Sequence, residues 1–328
     1  MKNNKLSTLF SKYGIVFMLF ALILVMVVLL GPSFLSISNI IGILNSSSIY
    51  GIMALGVTFI IISGGIDLSA GSLVAVAAVL CGAVGQRADA SNRIFAGMPE
   101  LGLFAAFVAA VAFGALFGAI NGAMVAKLKL FPFIATLGTY TIYRGLALVI
   151  TDGKPVTQLV PGFSTVGNTL FGFLPTPTLI FVLCTTLCWL LLNNTKFGCN
   201  TYSIGGNASA ARITGINIAR TTIGIYAFAG LLYGIASFVY AGRVLSVNPG
   251  AARNYEMSAI SASIIGGTSP SGGSGTIWGV VVGTLILGVI RQGLTLLGVD
   301  AYWQQIAEGV IIVAAVIMAA LRRKDAKA

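Results

Sequence analysis

Ile62-Ser63-Gly64-Gly65-Ile66-Asp67-Leu68-Ser69-Ala70-Gly71-Ser72 sets one carboxylate and three glycines between two apolar runs. A charged side chain at membrane depth costs about 2.5–3.5 kcal/mol on insertion scales, so such residues cap broken helices, pair, or line polar paths. The stretch therefore predicts an interrupted membrane helix in a chain that moves something across a bilayer.

Composition agrees with that setting. Of 328 residues 57% are hydrophobic and only 8% charged, with a mean hydropathy of +0.98, whereas a globular domain in water carries about 25% charge. The 41 glycines fit close helix packing and broken helices better than a Leu-rich anchor. A net charge of +11 would suggest nucleic acid in a protein dissolved in water, but the basic residues follow topology and do not cluster with aromatics, so nucleic acid is not an expected partner. Histidine is absent, removing the commonest general base and metal ligand. Cys81, Cys184, Cys188 and Cys199 lack zinc-ligand spacing and read as packing residues, so no metal or cofactor is expected.

Apolar runs between Gly, Pro and polar breaks give ten candidate segments, at 13–31, 47–63, 68–85, 101–126, 133–150, 178–192, 221–241, 258–265, 276–296 and 304–321; a full span needs about 20 residues. The fold class expected is an all-α polytopic membrane protein of about ten helices with two broken or re-entrant segments. Lys2, Lys5 and Lys12 ahead of the first run resemble a signal peptide, but no small-x-small site follows, and the run reads as a retained first helix. One expected inner face collects Lys2, Lys5, Lys12, Lys127, Lys129, Lys196, Arg212, Arg220, Arg322, Arg323, Lys324 and Lys327 with Asp325. The other holds Arg87, Arg93, Lys154, Arg243 and Arg253 mixed with Asp89, Glu100, Asp152, Glu256 and Asp300. That asymmetry and an even helix count place both termini in the cytoplasm.

Segment 258–265 is too short to span, and Gly266-Gly267-Thr268-Ser269-Pro270-Ser271-Gly272-Gly273-Ser274-Gly275 stops it. Superposed on the first break it suggests a weak internal repeat, although glycine-rich low complexity alone can mimic one. Irregular backbone at depth survives only inside protein or beside a wet cavity. The candidate path or broken-helix residues are therefore Ser63, Gly64, Gly65, Asp67 and Ser69 in one break, and Gly266, Gly267, Thr268 and Ser269 in the other.

The longest polar stretch expected on the inner face covers about 194–220 and reads Ile204-Gly205-Gly206-Asn207-Ala208-Ser209-Ala210-Ala211-Arg212-Ile213-Thr214-Gly215-Ile216-Asn217 in its middle. Asn207 can cap a short helix with a small face of Ala208, Ala210 and Ala211, and Gly215 can end it. Such a helix suits docking to another protein or serves as an ordinary connector.

These two stretches, with Tyr255-Glu256 and Ile264-Ile265-Gly266-Gly267-Thr268-Ser269, resemble the membrane permease subunits of bacterial ABC importers for monosaccharides, the ribose, galactose, xylose, allose and arabinose systems among them. Phe131-Pro132-Phe133-Ile134-Ala135-Thr136-Leu137-Gly138 is also similar to that family, and the likeness covers nearly the whole chain. It implies one transmembrane permease domain over 1–328, in a homodimer of two permease copies within the bacterial inner membrane and its lipid. Cytoplasmic ATP-binding subunits and a periplasmic sugar-binding protein are the implied partners. It also implies that Gly205, Gly206, Asn207, Ala208, Ala210, Ala211, Arg212, Gly215 and Asn217 form the ATPase-coupling loop. The chain itself has no G-x-x-x-x-G-K-[ST] loop, since Gly153-Lys154 runs into Pro155, so it is not expected to be an enzyme. Members of the family that it resembles usually have an acid where Ser258 stands, and often Asn-Asn-Gly with a basic residue where Arg291-Gln292-Gly293 and Glu308 stand. Arg291 and Glu308 lie nearly equidistant from the turn near Asp300 and are expected to pair.

Asp67 reads as N-cap of the following helix, as a path-lining group, or as both. Ion coupling through it is disfavoured because no second carboxylate stands near it in the pattern. Arg144 stays unassigned between an unseen acid and snorkelling. Arg243, Arg253 and Glu256 are candidates for docking the binding protein, against a default as solvated rim charges. Tyr302 and Trp303 read as interfacial aromatics, and Asn45, Ser46, Ser47 and Asn121 as helix-bridging polar groups. The rival to the importer reading is an ion-coupled secondary transporter, and a third possibility is a non-transporting scaffold.

Overall fold

Glycine, proline and capping residues decide where this apolar chain stops being helical, and the structure, a computed structural model, describes residues 5–170 and 172–325; Lys2 and Lys327 of the charge argument lie outside them. The described helices are α1 (Lys5–Leu30), α2 (Ile37–Ile62), α3 (Ala70–Val84), α4 (Leu103–Ala126), α5 (Pro132–Thr151), α6 (Phe163–Gly167), α7 (Thr176–Asn194), α8 (Lys196–Gly206), α9 (Ala208–Ile213), α10 (Ile218–Val244), α11 (Tyr255–Ile265), α12 (Ile277–Leu296) and α13 (Ala301–Asp325). A two-stranded hairpin, β1 (Thr169–Leu170) with β2 (Leu174–Pro175), precedes α7.

Each of the ten expected segments finds a helix, but seven of the described helices are long and apolar enough to cross a bilayer: α1, α2, α4, α5, α7, α10 and α12. α3 and α11, at 15 and 11 residues, fall short. α2 begins at Ile37, earlier than the expected 47, because Ser36 caps it by accepting from the Asn39 N–H. The polar run after it does not break the helix, since Ser46 and Ser48 return their hydroxyls to the carbonyls of Gly42 and Leu44.

α2 and α10 form the axis of the molecule. Their apolar windows are 67% and 61% buried, against 6% for α1, whose Phe20, Leu24 and Val28 point outward with Phe104 of α4 and Val149 of α5. α4 lies against α10 with almost no side chain between them. Gly114, Gly118 and Gly122 recur every fourth residue and face Gly230, Gly234 and the backbone around Ile223 and Tyr226. Small residues at this spacing let two backbones approach closely where lipid supplies no hydrophobic drive for helices to associate.

A Cβ on Gly118 would sit 2.9 Å from the Gly230 Cα and strike the Tyr226 carbonyl. Gly118→Ala is therefore expected to destabilise the fold by about 1–3 kcal/mol, read as a lowered melting temperature in detergent. Gly138→Ala in α5, where nothing lies within 4 Å of the added carbon, is expected to leave that temperature unchanged or raise it.

Candidate functional site

Both breaks end a helix in the same way. At α2, Gly64 takes φ 84 while the Gly64 and Gly65 N–H groups donate back to the Ile61 and Ile60 carbonyls. At α11, Gly267 takes φ 90 while the Gly267 and Thr268 N–H groups donate to Ile264 and Ser263. This is a Schellman stop, and its left-handed residue is glycine because a side chain there is strained. The stops touch: the Gly273 N–H donates to the Ile62 carbonyl at 2.8 Å, and the Thr58 and Ser263 hydroxyls share a hydrogen bond at 2.8 Å.

From its stop at Gly65 the chain runs unwound through Ile66 to Ser69 and enters α3 beside the start of α11. A Cβ on Gly71, in the first turn of α3, would collide with the Glu256 carboxylate and lie 2.7 Å from the Ala252 carbonyl. Glu256 is in the first turn of α11, so the two half-length helices abut by their N-terminal ends. They then diverge. α3 ends at Gly85 against Phe163, whereas α11 ends at the loop that meets Ile62. Helix N-termini carry positive partial charge, and an acid stands at each one here.

Asp67 is 1% exposed, and its Oδ1 accepts from the N–H (2.9 Å) and hydroxyl (2.6 Å) of Ser69. Ser69, not Asp67, occupies the N-cap of α3; the carboxylate holds the cap residue, because the unwound turn places it two positions too early to reach the helix amides. Asn121 of α4 donates to the Ser69 hydroxyl at 2.7 Å and links to Tyr143 of α5 at 3.1 Å, the bridging role expected of it. The Tyr233 hydroxyl lies beside Asp67.

Glu256 corrects two expectations. It is 4% exposed and packed against α3, so it is not a solvated rim charge, whereas Arg243 and Arg253 are exposed. It is also the second carboxylate near Asp67 that the pattern seemed to lack, and both Asp67 and Arg144 act on its charge. Arg144 ties down the segment leading into α11, donating to the carbonyls of Pro249 (3.0 Å) and Ala251 (2.8 Å). That segment holds Leu245, Ala252 and Asn254 at positive φ, a conformation that persists only when neighbours enforce it. These roles were hidden from the sequence because Arg144 and Glu256 are distant in the chain and come near each other only through the fold. Asp67 Oδ2, Glu256 Oε2 and Arg144 Nε and Nη2 have no hydrogen-bond partner among the described residues.

The loop at 194–220 folds as anticipated in outline. The Asn207 side chain accepts from the Ala210 N–H at 3.0 Å and caps α9, and Gly215 at φ 88 closes it as its N–H donates to Arg212; Asn217 likewise caps α10 by accepting from Arg220. Ala208, Ala210 and Arg212 are exposed, but Ala211 is buried and anchors the helix. Ile213, 87% exposed at the end of α9, was not singled out, although a bulky apolar residue among alanines was the available signal. Gly206 is exposed, and Gly205 sits where a Cβ would strike the Ile62 carbonyl and lie 2.7 Å from the Gly273 N. Gly64 and Gly272 pack beside it, and Tyr202 of α8 donates to the Gly275 carbonyl at 2.7 Å. The base of α9 is thus locked by backbone to both breaks. Ser63 returns its hydroxyl to Ile60, Gly266 packs on Gly279, and the Ser269 N–H donates to Ser274 within the second loop.

The expected pair forms. Arg291 of α12 donates to both carboxylate oxygens of Glu308 in α13 at 2.8 Å and to the Ser258 hydroxyl at 2.6 Å, which also meets Glu308. The guanidinium lies 5.1 Å from the Tyr50 ring centroid, adding a cation–π contact.

Helices interrupted at matching places and packed through glycine are how membrane transporters build a path that opens and closes, and the chain is a multi-pass membrane protein of that class. It belongs to the permease family described as "Branched-chain amino acid transport system / permease component", which matches residues 39–316. It is 41% identical over 312 residues to the ribose import permease protein RbsC of Bacillus subtilis (strain 168), covering 94% of this chain and 92% of that relative. It is 37% identical over 330 residues to the galactose/methyl galactoside import permease protein MglC of Escherichia coli (strain K12), covering 98% and 97%. No solved structure matches it.

Glu308→Gln leaves a partly buried guanidinium without its counter-charge, at a cost of about 1–3 kcal/mol. The melting temperature of the purified chain is expected to fall accordingly. The exchanged pair Arg291→Glu with Glu308→Arg is expected to recover part of that loss, and no recovery would show that Tyr50 and Ser258 fix the orientation of the pair.

Proposed function

We infer that the chain is the membrane subunit of an ATP-driven importer for a monosaccharide, working as two copies with ATP-binding subunits on the inner face and a sugar-binding receptor outside. The abutment of α3 and α11 at Gly71 and Glu256 is the observation that carries this reading. End to end, helices of 15 and 11 residues rise about 22 and 16 Å, together about 38 Å, more than the ~30 Å hydrocarbon core and near the full bilayer thickness, which supports a junction inside the bilayer. That is where transporters with discontinuous helices hold their solute.

The groups at the junction suit a sugar. Asp67 Oδ2 and Glu256 Oε2 offer acceptors to hydroxyls, Arg144 offers donors, and the site is sealed until the half-helices part. Relatives that import ribose and galactose support the substrate class. The matched Schellman stops support an internal repeat, and the positive-inside asymmetry of the loops supports an inner-membrane protein with both termini in the cytoplasm. Arg243 and Arg253 on the opposite face remain the candidates for steering the receptor.

Energy would enter through α9. Its exposed Ile213 and Arg212 present an anchor and a charge to the ATP-binding subunit, and Gly205 passes any displacement to Ile62 and Gly273 together. Nothing softer than backbone lies between them. This favours ATP drive over ion coupling, in which an α8–α9 lever would have no task.

Reconstituted with ATP-binding subunits and receptor, the chain is expected to accumulate ribose or galactose in proteoliposomes only when ATP is supplied. Uptake by the chain alone under a proton or sodium gradient would overturn the reading. Asn207→Ala removes a cap worth about 1 kcal/mol and is expected to lower receptor-stimulated ATPase activity and uptake in parallel, without changing the melting temperature of the permease by more than a few degrees. Stimulation equal to wild type would remove α9 from the coupling route.

A further inference from the structure

Beside α9, an open cavity of about 730 Å³ lies between the start of α8 and the start of α10. Lys196 and Arg220 stand at its rim, Asn200, Asn217 and Thr221 line its wall, and Phe197 forms its floor. Phe197 is fixed there by rings of the core, 6.0 Å from Phe59 and 6.1 Å from Phe228 between centroids.

Among the described residues, neither cation is paired with an acid. The ion pairs among the described residues are Arg87–Asp89, Lys154–Asp152 and Arg291–Glu308, all remote from this cavity. Asn217 spends its side-chain oxygen on the Arg220 N–H, which leaves its amide donors for a ligand. The cavity therefore gathers two fixed positive charges with amide and hydroxyl donors, a set that phosphate oxygens satisfy. Its depth is set by the helices around it. α7 ends its apolar run at Asn194 and α10 begins its own at Ile218, so the rim lies level with the headgroups of one leaflet, over an aromatic floor that tolerates the glycerol end of a lipid.

We propose that this cavity binds the phosphodiester headgroup of an anionic phospholipid. The lipid braces the turn at Thr214 and Gly215, which also line the cavity, and so steadies α9 where it meets its partner. Charge complementarity and position at the ends of two membrane helices favour a lipid over a phosphate from solution.

The test uses the full chain in nanodiscs of phosphatidylcholine with phosphatidylglycerol, followed by detergent extraction and native mass spectrometry of the lipid that stays bound. Near a membrane surface each Lys or Arg contributes enough that losing two lowers retention about thirtyfold. Lys196→Gln with Arg220→Gln is expected to show that loss, while Lys127→Gln with Lys129→Gln, in another basic loop, retains the lipid. The charge-keeping exchange Lys196→Arg with Arg220→Lys is expected to retain it as well, which separates loss of charge from loss of fold. Equal loss in both neutralised pairs would mean general surface attraction and overturn the proposal. Displacement of phosphatidylglycerol by millimolar inorganic phosphate would assign the cavity to a soluble phosphate and overturn it too.

Discussion

Lipid offers no partner to an open amide or carbonyl, and that constraint organises the whole molecule. Two helices, α2 and α11, stop at turns that touch, and each stop closes its own carbonyls through a glycine at positive φ. What the Schellman geometry leaves over at Ile62 is met by the Gly273 backbone, and in the segment ahead of α11 the Arg144 side chain serves the carbonyls of Pro249 and Ala251. The glycines of α4 and α10 serve the same end from outside, because only close helix contact excludes lipid from the irregular segments.

The charges follow from this arrangement. Two N-terminal ends brought together leave a region of positive partial charge with little water, and a carboxylate at each end offsets it. Asp67 and Glu256 stand there with Arg144 beside them, a balance that keeps any one buried charge from standing alone. Further along α11, Ser258 meets an acid from another helix: Glu308 reaches across from α13 and contacts the Ser258 hydroxyl and Arg291 together.

Much of this was legible in the sequence because the signals were local. Gly64, Gly267 and Gly215 announced their stops, Asn207 its cap, and Arg291 with Glu308 sat at matching distances from one turn. What escaped depended on which segments fold back. Glu256 looked like an outer-loop charge because the segment before α11 is polar, and only the descent of that segment to Gly71 places the carboxylate in the interior. The start of α2 was misplaced for a simpler reason: a run of Asn and Ser reads as a loop unless its hydroxyls bond back along the helix, as those of Ser46 and Ser48 do.

The contact at Gly205 bears most directly on how such a chain could do work. A side chain between α8 and the two stops would act as a spring, absorbing a displacement by changing rotamer. Backbone against backbone has no such freedom, so a shift of α9 by an ångström must move Ile62 and Gly273 by a similar amount or break the contact. Both stops then move together, and the helices they terminate lead to the same abutment from opposite directions. In the coupling proposed above, a displacement at one surface would reach the junction of α3 and α11 through these backbone contacts.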